Sequence, residues 1–387
     1  MKKIKAVIVG AGLIAGKKHI PAFLRHKNKV ELTALCDLNQ EGARKLAAQF
    51  GISRVYDDLA EMIEKEQPDL VDICTPPQTH VKLAIDAMDR GCHVLIEKPM
   101  ALTVAECDRI VEASRRHGLK VCVGHSDLFY YPFMEARELV GKGAIGEFRG
   151  MRILLSTPTS YMTSQPDHWA HKLPGGVIGE TGPHVVYMTL AFINPIRKVS
   201  VEAMKLLDFP WSRYDDYRIN LVGDKAISSI ALSYTTDQWA ARLDILGEKG
   251  ILTLDLEGMY LVTNRRPTLK RVPVALSLLS ESGQIVQNLV SKSVRLAAGK
   301  YENTHEQIVG RFVDSIQAGS ASPVSAEEGR EAVRVLNMIV EKLDAAESTA
   351  DPSEELNQPQ MNTDNRGSEE RKATESGSNR SEPRVSV

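Results

Sequence analysis

Apolar positions in the first third of the chain follow two alternating patterns. Short, mostly apolar runs at residues 6–9, 30–36, 69–75, 93–96 and 120–124 predict strands that are buried on both faces. Between them, residues 39–50, 58–66, 79–90 and 103–117 carry apolar side chains three or four positions apart, which predicts helices with one apolar face. The alternation predicts an α/β domain over residues 1–126, a doubly wound parallel sheet with helices on both faces.

The pattern changes after residue 126. A helix at 131–140 and a strand at 147–156 precede a run of strands at 200–206, 217–222, 226–235, 240–246, 250–256 and 259–262. This predicts an α+β domain over residues 127–347, with a large, open and mostly antiparallel sheet. Apolar spacing in two further helices, 304–318 and 326–345, predicts that they pack back against the first domain.

Two other segments have their own composition. The Leu-rich part of residues 266–300 predicts an amphipathic helix over 274–296. That helix could cover a site or meet a partner subunit, but an ordinary packing helix is the favoured interpretation. Residues 348–387 are rich in Ser, Glu, Asn and Arg with few large apolar residues, which predicts a disordered polar tail.

The first predicted strand runs directly into the spacing Gly-x-Gly-x-x-Ala. Gly10 permits a tight turn, and Gly12 lacks the Cβ that would hold a pyrophosphate away from the backbone. Ala15 is small enough for a following helix to pack closely on the strand. Leu13 and Ile14 open that helix, whose free N–H groups would face phosphates. The turn therefore predicts a dinucleotide-binding Rossmann domain.

The second predicted strand ends in Asp37, at the distance expected for a carboxylate that binds the adenosine ribose hydroxyls. Its charge would repel a 2′-phosphate, and Leu38 and Asn39 supply no cation, so NAD is favoured over NADP. The residues predicted to bind the cofactor are Gly10, Gly12, Leu13, Ile14, Asp37, Thr75, Pro76, His80, Glu97 and Lys98.

Three side chains are candidates for catalysis. Lys98 follows a strand and is fixed by a proline, which suits contact with a reacting oxygen, although a surface turn lysine is equally compatible. Glu180 and His184 are four residues apart on a predicted helix and so share one face. A carboxylate beside an imidazole suits proton transfer. The pair alone is more typical of a solvated helix face.

Four motifs together resemble the Gfo/Idh/MocA oxidoreductases, the group that includes glucose–fructose oxidoreductase and inositol dehydrogenase. They are Gly10-Ala-Gly12-Leu-Ile-Ala15 with His19, Thr75-Pro76-Pro77-Gln-Thr-His80, Glu97-Lys98-Pro99, and Gly175-Gly176 with Glu180-x-Gly182-x-His184.

The resemblance covers about residues 3 to 345 and has several implications for the site. It implies that His184 is the acid/base, with Glu180 orienting it and Lys98 holding the reacting oxygen. Family members usually carry Asp where this chain has Glu180. Many polyol-oxidising members also carry Asp where this chain has Tyr187, which argues against simply transferring an inositol-type substrate.

The loop over residues 157–176 contains aromatic and imidazole groups that can stack on or hydrogen-bond a sugar. Simple packing within the loop explains them equally well. The residues predicted to bind substrate are Lys98, His168, Trp169, His184 and Tyr187.

Composition restricts the remaining possibilities. The 387 residues have a net charge of −2 and 43% hydrophobic content, which is typical of a soluble protein with two domains. No basic stripe with interleaved aromatics and no apolar run of membrane-spanning length occurs, so neither nucleic acid nor a membrane is an expected partner. The five cysteines lack metal-ligand spacing, which favours reduced thiols in the cytoplasm and no metal. A signal peptide at the N-terminus is disfavoured because glycines and Lys5 break its apolar run.

The sequence thus predicts an NAD(P)-dependent oxidoreductase acting on a sugar, polyol or nucleotide sugar. A glycoside hydrolase that keeps NAD bound would use the same Lys and His groups and remains an alternative. A non-catalytic dinucleotide-binding protein is a further, less favoured alternative. The resemblance also implies a homodimer or homotetramer formed through the C-terminal sheet.

Overall fold

The computed structural model describes residues 2–299 and 303–349, and its first sheet has the strand order β3-β2-β1-β4-β5-β6 with all strands parallel. The strands are β1 (Ile4–Val9), β2 (Val30–Cys36), β3 (Arg54–Tyr56), β4 (Leu70–Ile73), β5 (His93–Ile96) and β6 (Val121–Val123). The predicted doubly wound sheet is confirmed. The apolar pattern does not predict β3, because its three residues are exposed or half-buried.

Five helices cover this sheet among the described residues: α1 (Ile20–Arg25), α2 (Gln40–Phe50), α3 (Leu59–Glu66), α4 (His80–Asp89) and α5 (Val104–His117). Side chains cap several of them. Asp58 accepts from the N–H of Glu61 at 2.8 Å, and Thr103 forms a reciprocal capping box with Glu106. These caps explain why the predicted helix starts agree with the structure to within one residue.

The second sheet has the order β13-β12-β11-β7-β10-β9-β8. Its strands are β7 (Phe148–Ser156), β8 (Ile196–Met204), β9 (Asp216–Gly223), β10 (Ile227–Ser233), β11 (Ala240–Gly247), β12 (Ile251–Asp255) and β13 (Tyr260–Asn264). Only β7 and β10 pair in parallel among these described strands, so the predicted mostly antiparallel sheet is confirmed. Buried and exposed residues alternate along β9 and β11, which leaves one face of the sheet open.

The other helices described are α6 (Tyr131–Gly141), α7 (Ile178–Leu190), α8 (Arg271–Ala297), α9 (Thr304–Ala318) and α10 (Ala326–Thr349). The chain around α9 and α10 returns to the first sheet. The N–H of Val123 in β6 donates to the carbonyl of Val324 at 3.1 Å, and the Gln307 amide donates to the Phe129 carbonyl at 2.9 Å. That the C-terminal helices pack back against the first domain stays a prediction.

The helix α8 differs from the other long helices because none of its 27 residues is buried. The favoured prediction of an ordinary packing helix is therefore wrong, since such a helix buries its apolar face. The helix itself is present, and it begins three residues before the predicted start.

Met1–Glu347 forms one compact unit, and the domain boundary at residue 126 stays a prediction. The predicted disordered tail starts at residue 348, but α10 continues through Thr349, so that start is wrong; from residue 350 onward the tail lies outside the described residues. No helix in residues 2–299 and 303–349 is long and apolar enough to cross a membrane.

Candidate active site

The glycine turn after β1 has the shape that a dinucleotide phosphate requires. Gly10 has a φ of +95°, and a Cβ there would lie 2.7 Å from the carbonyl carbon of Cys74. A Cβ on Gly12 would instead meet no atom within 4 Å, so the space beside this residue is open. The backbone becomes helical at Leu13, and Ala15 is fully buried. The turn thus combines free N–H groups at a helix start with room for a pyrophosphate.

A Gly12→Val variant is expected to fold normally and to lose dinucleotide binding. Its side chain would enter open space in the free protein, so the melting temperature should change little. The same side chain would occupy the space of the pyrophosphate, and the Kd for NAD should rise at least about a hundredfold. Calorimetric titration with NAD measures this, and an unchanged Kd would exclude the turn as the phosphate site. Gly10→Ala should instead destabilise the fold, because its Cβ meets backbone.

Asp37 lies directly after β2 and points back to the glycine turn. Its Oδ2 accepts from the N–H of Ala11 at 2.7 Å, and its Oδ1 accepts from the N–H of Asn39 at 2.7 Å. Each oxygen keeps a further lone pair, so the carboxylate can also accept from the two hydroxyls of a ribose. Leu38 beside it is 89% exposed. The site therefore fits an adenosine ribose.

Other residues predicted to bind the cofactor lie along the same edge of the first sheet. Leu13 is 70% exposed, and Ile14 is half-buried. Thr75 is half-buried and Pro76 is exposed after β4. These positions are accessible, and their contact with a dinucleotide stays a prediction.

Two residues predicted to bind the cofactor turn their side chains into the protein. The His80 ring is fully buried, with Nδ1 3.0 Å from the Pro99 carbonyl and Nε2 2.8 Å from the Thr75 carbonyl. The buried Glu97 carboxylate lies 2.7 Å from Nε2 of His19. Both side chains hold the turns at the strand ends, and the binding of a cofactor by His80 and Glu97 stays a prediction.

His19 is buried between two carboxylates. Its Nδ1 lies 2.8 Å from Asp72 and its Nε2 lies 2.7 Å from Glu97. Burial opposes a charge on this ring, but Asp72 and Cys74 together outweigh burial and raise the pKa of His19 well above 6.5. His19 also belongs to two groups of potential metal ligands, one with Asp72 and Cys74 and one with Glu97 and His305. Within each group the potential ligand atoms lie within 4.8 Å of one another. The absence of a bound metal accordingly stays a prediction.

Lys98 is held at the carboxyl end of β5 by an ion pair with α7. Its Nζ donates to Glu180 Oε1 at 2.6 Å and to the Glu180 carbonyl at 2.9 Å. Burial opposes the charge on the lysine, but Glu180, Glu97 and Asp127 together outweigh burial and raise the pKa of Lys98. Burial likewise opposes charge on Glu180, but Lys98, His184 and His168 together outweigh burial and lower its pKa. Both groups are therefore ionised at neutral pH.

His184 lies one turn after Glu180 on α7 and has a different partner. Its Nδ1 lies 2.7 Å from Asp127 Oδ2 and 2.7 Å from the Tyr187 hydroxyl. Because a carboxylate only accepts, Nδ1 carries the proton of the neutral ring and Nε2 keeps its lone pair. Nε2 has no hydrogen-bond partner in the part of the chain that the structure describes. The ring can therefore accept a proton at Nε2.

The predicted orientation of His184 by Glu180 is wrong. Both side chains do lie on one face of α7. However, the Glu180 carboxylate is paired with the ammonium of Lys98, and the His184 ring is paired with Asp127. Tyr187, predicted to contact substrate, is 2% exposed and supports His184 instead. Burial opposes charge on Asp127, but His184, Tyr187 and Lys98 together outweigh burial and lower its pKa.

Sequence reasoning missed Asp127 although a usable signal existed. Asp127 lies four residues after β6, at the same carboxyl edge where Lys98 follows β5. Ligand-contacting residues of such sheets lie at these ends. Applying the rule to every strand would have found it.

The loop before α7 brings further groups near Lys98 and Glu180. Burial lowers the pKa of His168 and the Glu180 charge opposes this effect, so these two groups are close enough to interact. Trp169 is 44% exposed and stacks on His168 with ring centres 5.7 Å apart. Contact of His168 and Trp169 with substrate stays a prediction.

His125 is buried behind the site and stays neutral. Its ring stacks on Tyr187 with centres 4.3 Å apart. Burial, with the nearby His184, lowers its pKa from 6.5 to about 3. Burial also lowers the pKa of His305 to about 4.

These buried neutral rings predict a loss of stability on mild acidification. Below pH 6.5 the unfolded chain protonates His125, whereas the folded chain does not until about pH 3. The contribution of this ring to the free energy of unfolding is complete above pH 6.5. It decreases as the pH falls, by up to about 1.4 kcal/mol per pH unit. Urea unfolding between about pH 7 and 5, above the ordinary carboxyl pKa range, measures the slope. His125→Phe, which keeps the stacking, should have a shallower slope; an equal slope would contradict this account.

The fold and the strand-end residues define a nucleotide-binding oxidoreductase, and comparison with known families agrees. Residues 4–125 match the oxidoreductase family with an NAD-binding Rossmann fold, and residues 133–253 match the GFO/IDH/MocA C-terminal domain. The chain belongs to the Gfo/Idh/MocA oxidoreductase family. The resemblance found in its motifs is confirmed.

Several known relatives are named as sugar or polyol dehydrogenases. The chain is 32% identical to D-glucoside 3-dehydrogenase of Escherichia coli over 144 residues, which span 37% of this chain and 41% of that protein. It is 27% identical to D-apiose dehydrogenase of Paraburkholderia graminis over 346 residues, 85% of this chain and 89% of that protein.

A solved structure has the same fold. The WlbA dehydrogenase from Bordetella pertussis, solved with NADH and UDP-GlcNAcA, aligns with a TM-score of 0.69 at 20% identity. The alignment covers 89% of this chain and 98% of that one.

Proposed function

We propose that the protein is an NAD-dependent oxidoreductase that transfers a hydride between the cofactor and a CH–OH group of a sugar, polyol or nucleotide sugar. One observation carries the proposal. Lys98, from the end of β5, and His184, from α7, are linked through Glu180 and Asp127 into one cluster of charges. An ammonium and a free imidazole nitrogen are the two groups that oxidation of an alcohol requires.

The residues along the first sheet fit NAD. The open space at Gly12 would take the pyrophosphate, and Asp37 would accept from the ribose. When bound, NAD supplies a nicotinamide ring that takes up or returns a hydride. The negative charge of Asp37 disfavours a 2′-phosphate, which supports NAD over NADP.

Proton transfer is assigned to the chain's own residues. Nε2 of His184 accepts the proton of the substrate hydroxyl, and Asp127 at Nδ1 stabilises the resulting imidazolium. The ammonium of Lys98 donates to the same oxygen and stabilises its developing negative charge. Glu180 holds the ammonium through its carboxylate and its carbonyl, which gives it a positioning role.

The substrate class rests on the relatives and on the loop before α7. Relatives named for glucosides, apiose and inositol support a hydroxylated substrate. His168 and Trp169 present a ring surface of the kind that packs on sugars.

Assembly and location are proposed on separate grounds. The open face of the second sheet carries Arg152 paired with Asp244 and Arg242 paired with Asp255. Such a broad, ordered surface supports a homodimer or homotetramer formed through this sheet. The five cysteines are buried and unpaired, which supports a cytoplasmic location.

An absorbance assay with NAD or NADP and a panel of sugars, polyols and nucleotide sugars tests the proposal. We expect NADH formation with NAD and at least one member of the panel. Release of free sugar from glycosides without net NADH would instead support the hydrolase. Tight NAD binding without either reaction, across a broad panel, would support a non-catalytic protein.

A further inference from the structure

The helix α8 packs on the protein with its polar side. Gln284 accepts from the N–H of Thr263 at 2.8 Å and donates to the Thr263 carbonyl at 3.1 Å, so its amide pairs with the edge strand β13. One turn later, Asn288 donates to the Leu261 carbonyl at 3.0 Å. These bonds to backbone fix the rotation of the helix about its axis.

The half-buried positions of α8 mark the face that is turned to the protein. They recur every three or four residues, and all but the first are polar: Val274, Ser277, Glu281, Gln284, Asn288 and Lys292. A helix in a soluble monomer normally turns its apolar face inward. This helix does the reverse.

The outward face of α8 is apolar. The side chains opposite the polar face are between 55% and 70% exposed: Val272, Leu276, Leu279, Val286, Val290 and Val294. One flank adds four more exposed apolar side chains: Leu278, Ile285, Leu289 and Leu296. At about 100° per residue, this surface covers roughly half of the helix circumference. A contiguous apolar surface of this extent marks a site of interaction.

The charge around this helix is strongly positive. Residues 265–297 contain six Lys or Arg and one Glu, whereas the whole chain has 48 Lys or Arg and 50 Asp or Glu. The single acid, Glu281, is paired with Arg266 at 2.6 Å. Lys270 and Arg271, at the start of α8, are exposed and have no ion pair among residues 2–299 and 303–349. The outward surface therefore has apolar side chains and free cations but no acid.

We propose that α8 docks the protein on the surface of an anionic lipid bilayer. The helix lies parallel to the surface, with its apolar face at the level of the upper acyl chains and Lys270 and Arg271 near the headgroups. This reverses the sequence-based expectation that no membrane is a partner. The helix does not cross the bilayer.

Two features favour lipid over pairing with a second copy of α8. Helices that pair in a two-stranded coiled coil have a narrow apolar stripe. The apolar surface of α8 instead covers about half of its circumference. Coiled-coil partners are also selected by charged residues flanking the stripe. Here the flanks carry mainly Ser, Gln and Leu, such as Ser280, Gln287 and Leu289.

Flotation of the full-length protein with vesicles tests the proposal. Wild type should float with vesicles of phosphatidylcholine and phosphatidylglycerol, and much less with phosphatidylcholine alone or at high salt. The double variant Leu279→Asp/Val286→Asp should lose at least about tenfold in partitioning, because two charges enter the apolar face. Lys270→Glu/Arg271→Glu should weaken binding to anionic vesicles by a similar factor.

A matched control places the same two charges on another exposed apolar surface. Met204→Asp/Leu206→Asp changes side chains that are 60% and 55% exposed at the end of the opposite edge strand β8 and just after it. It should float like wild type. Equal loss in both double variants, or no flotation of wild type, would overturn the proposal. A solution dimer that the α8 variant dissociates, without vesicle binding, would assign the surface to a second copy instead.

Discussion

Replacing His184 with alanine should lower kcat by about a hundred- to ten-thousandfold while leaving the Kd for NAD unchanged. The reason is that Nε2 of His184 is the proton acceptor in the proposed site, and general-base catalysis contributes an effect of that size. The side chain is partly exposed and lies beside the strand ends, so its removal should not disturb the glycine turn. Steady-state kinetics on the substrate found in the panel, with calorimetry for NAD, measures both quantities.

Variants of the two residues that contact Nδ1 of His184 test its role more specifically. Asp127→Asn keeps the shape of the side chain but can donate to Nδ1, which allows the other tautomer and removes the lone pair from Nε2. It should lower kcat and shift the pH profile. Tyr187→Phe, which keeps the stacking on His125, should have a smaller effect. Full activity of His184→Ala would remove the ring from the mechanism.

Replacing Lys98 with methionine should lower kcat by about a hundred- to a thousandfold. The ammonium donates to the oxygen on which negative charge develops, and loss of one such donor has this effect in other enzymes. Methionine retains much of the side-chain volume but leaves the buried Glu180 carboxylate without its cation. Some loss of thermal stability should therefore accompany the loss of activity.

Glu180→Gln separates the two effects of that variant. It removes the charge of the partner but leaves Lys98 in place, so activity should fall less than in Lys98→Met. The carbonyl of Glu180 still accepts from Nζ at 2.9 Å and limits the displacement of the lysine. If Glu180→Gln lost as much activity as Lys98→Met, Glu180 would need a direct role in the chemistry.

The helices and strands were predictable from the sequence where interactions between residues close together in the chain determine them. Short, mostly apolar runs indicate buried parallel strands, and caps such as Thr103 with Glu106 determine where helices begin. The glycine turn was predictable for the same reason, since Gly10 has a backbone conformation that other residues rarely adopt.

The partners within the site were less predictable, because they come from distant parts of the chain. Helical spacing correctly places Glu180 and His184 on one face, but it does not show that Lys98 approaches from β5 and Asp127 from beyond β6. The position of a residue at a strand end also does not reveal whether its side chain points into the protein or toward a ligand. His80 and Glu97 follow strands as predicted, yet their side chains turn inward.

The orientation of the helix α8 was also not predictable from the sequence. Its apolar spacing predicts a helix correctly, but the same spacing suits a face turned inward or outward. The hydrogen bonds of Gln284 and Asn288 to β13 decide the direction. Those bonds depend on tertiary structure and not on local pattern.

The most direct test of the central claim follows the hydrogen that leaves the substrate. A substrate carrying deuterium on the oxidised carbon, incubated with wild-type protein and NAD, should give reduced cofactor that contains the deuterium by mass spectrometry. The His184→Ala and Lys98→Met variants should form little of this product. Turnover of the labelled substrate with deuterium appearing in water, and none in the cofactor, would contradict the proposed hydride transfer.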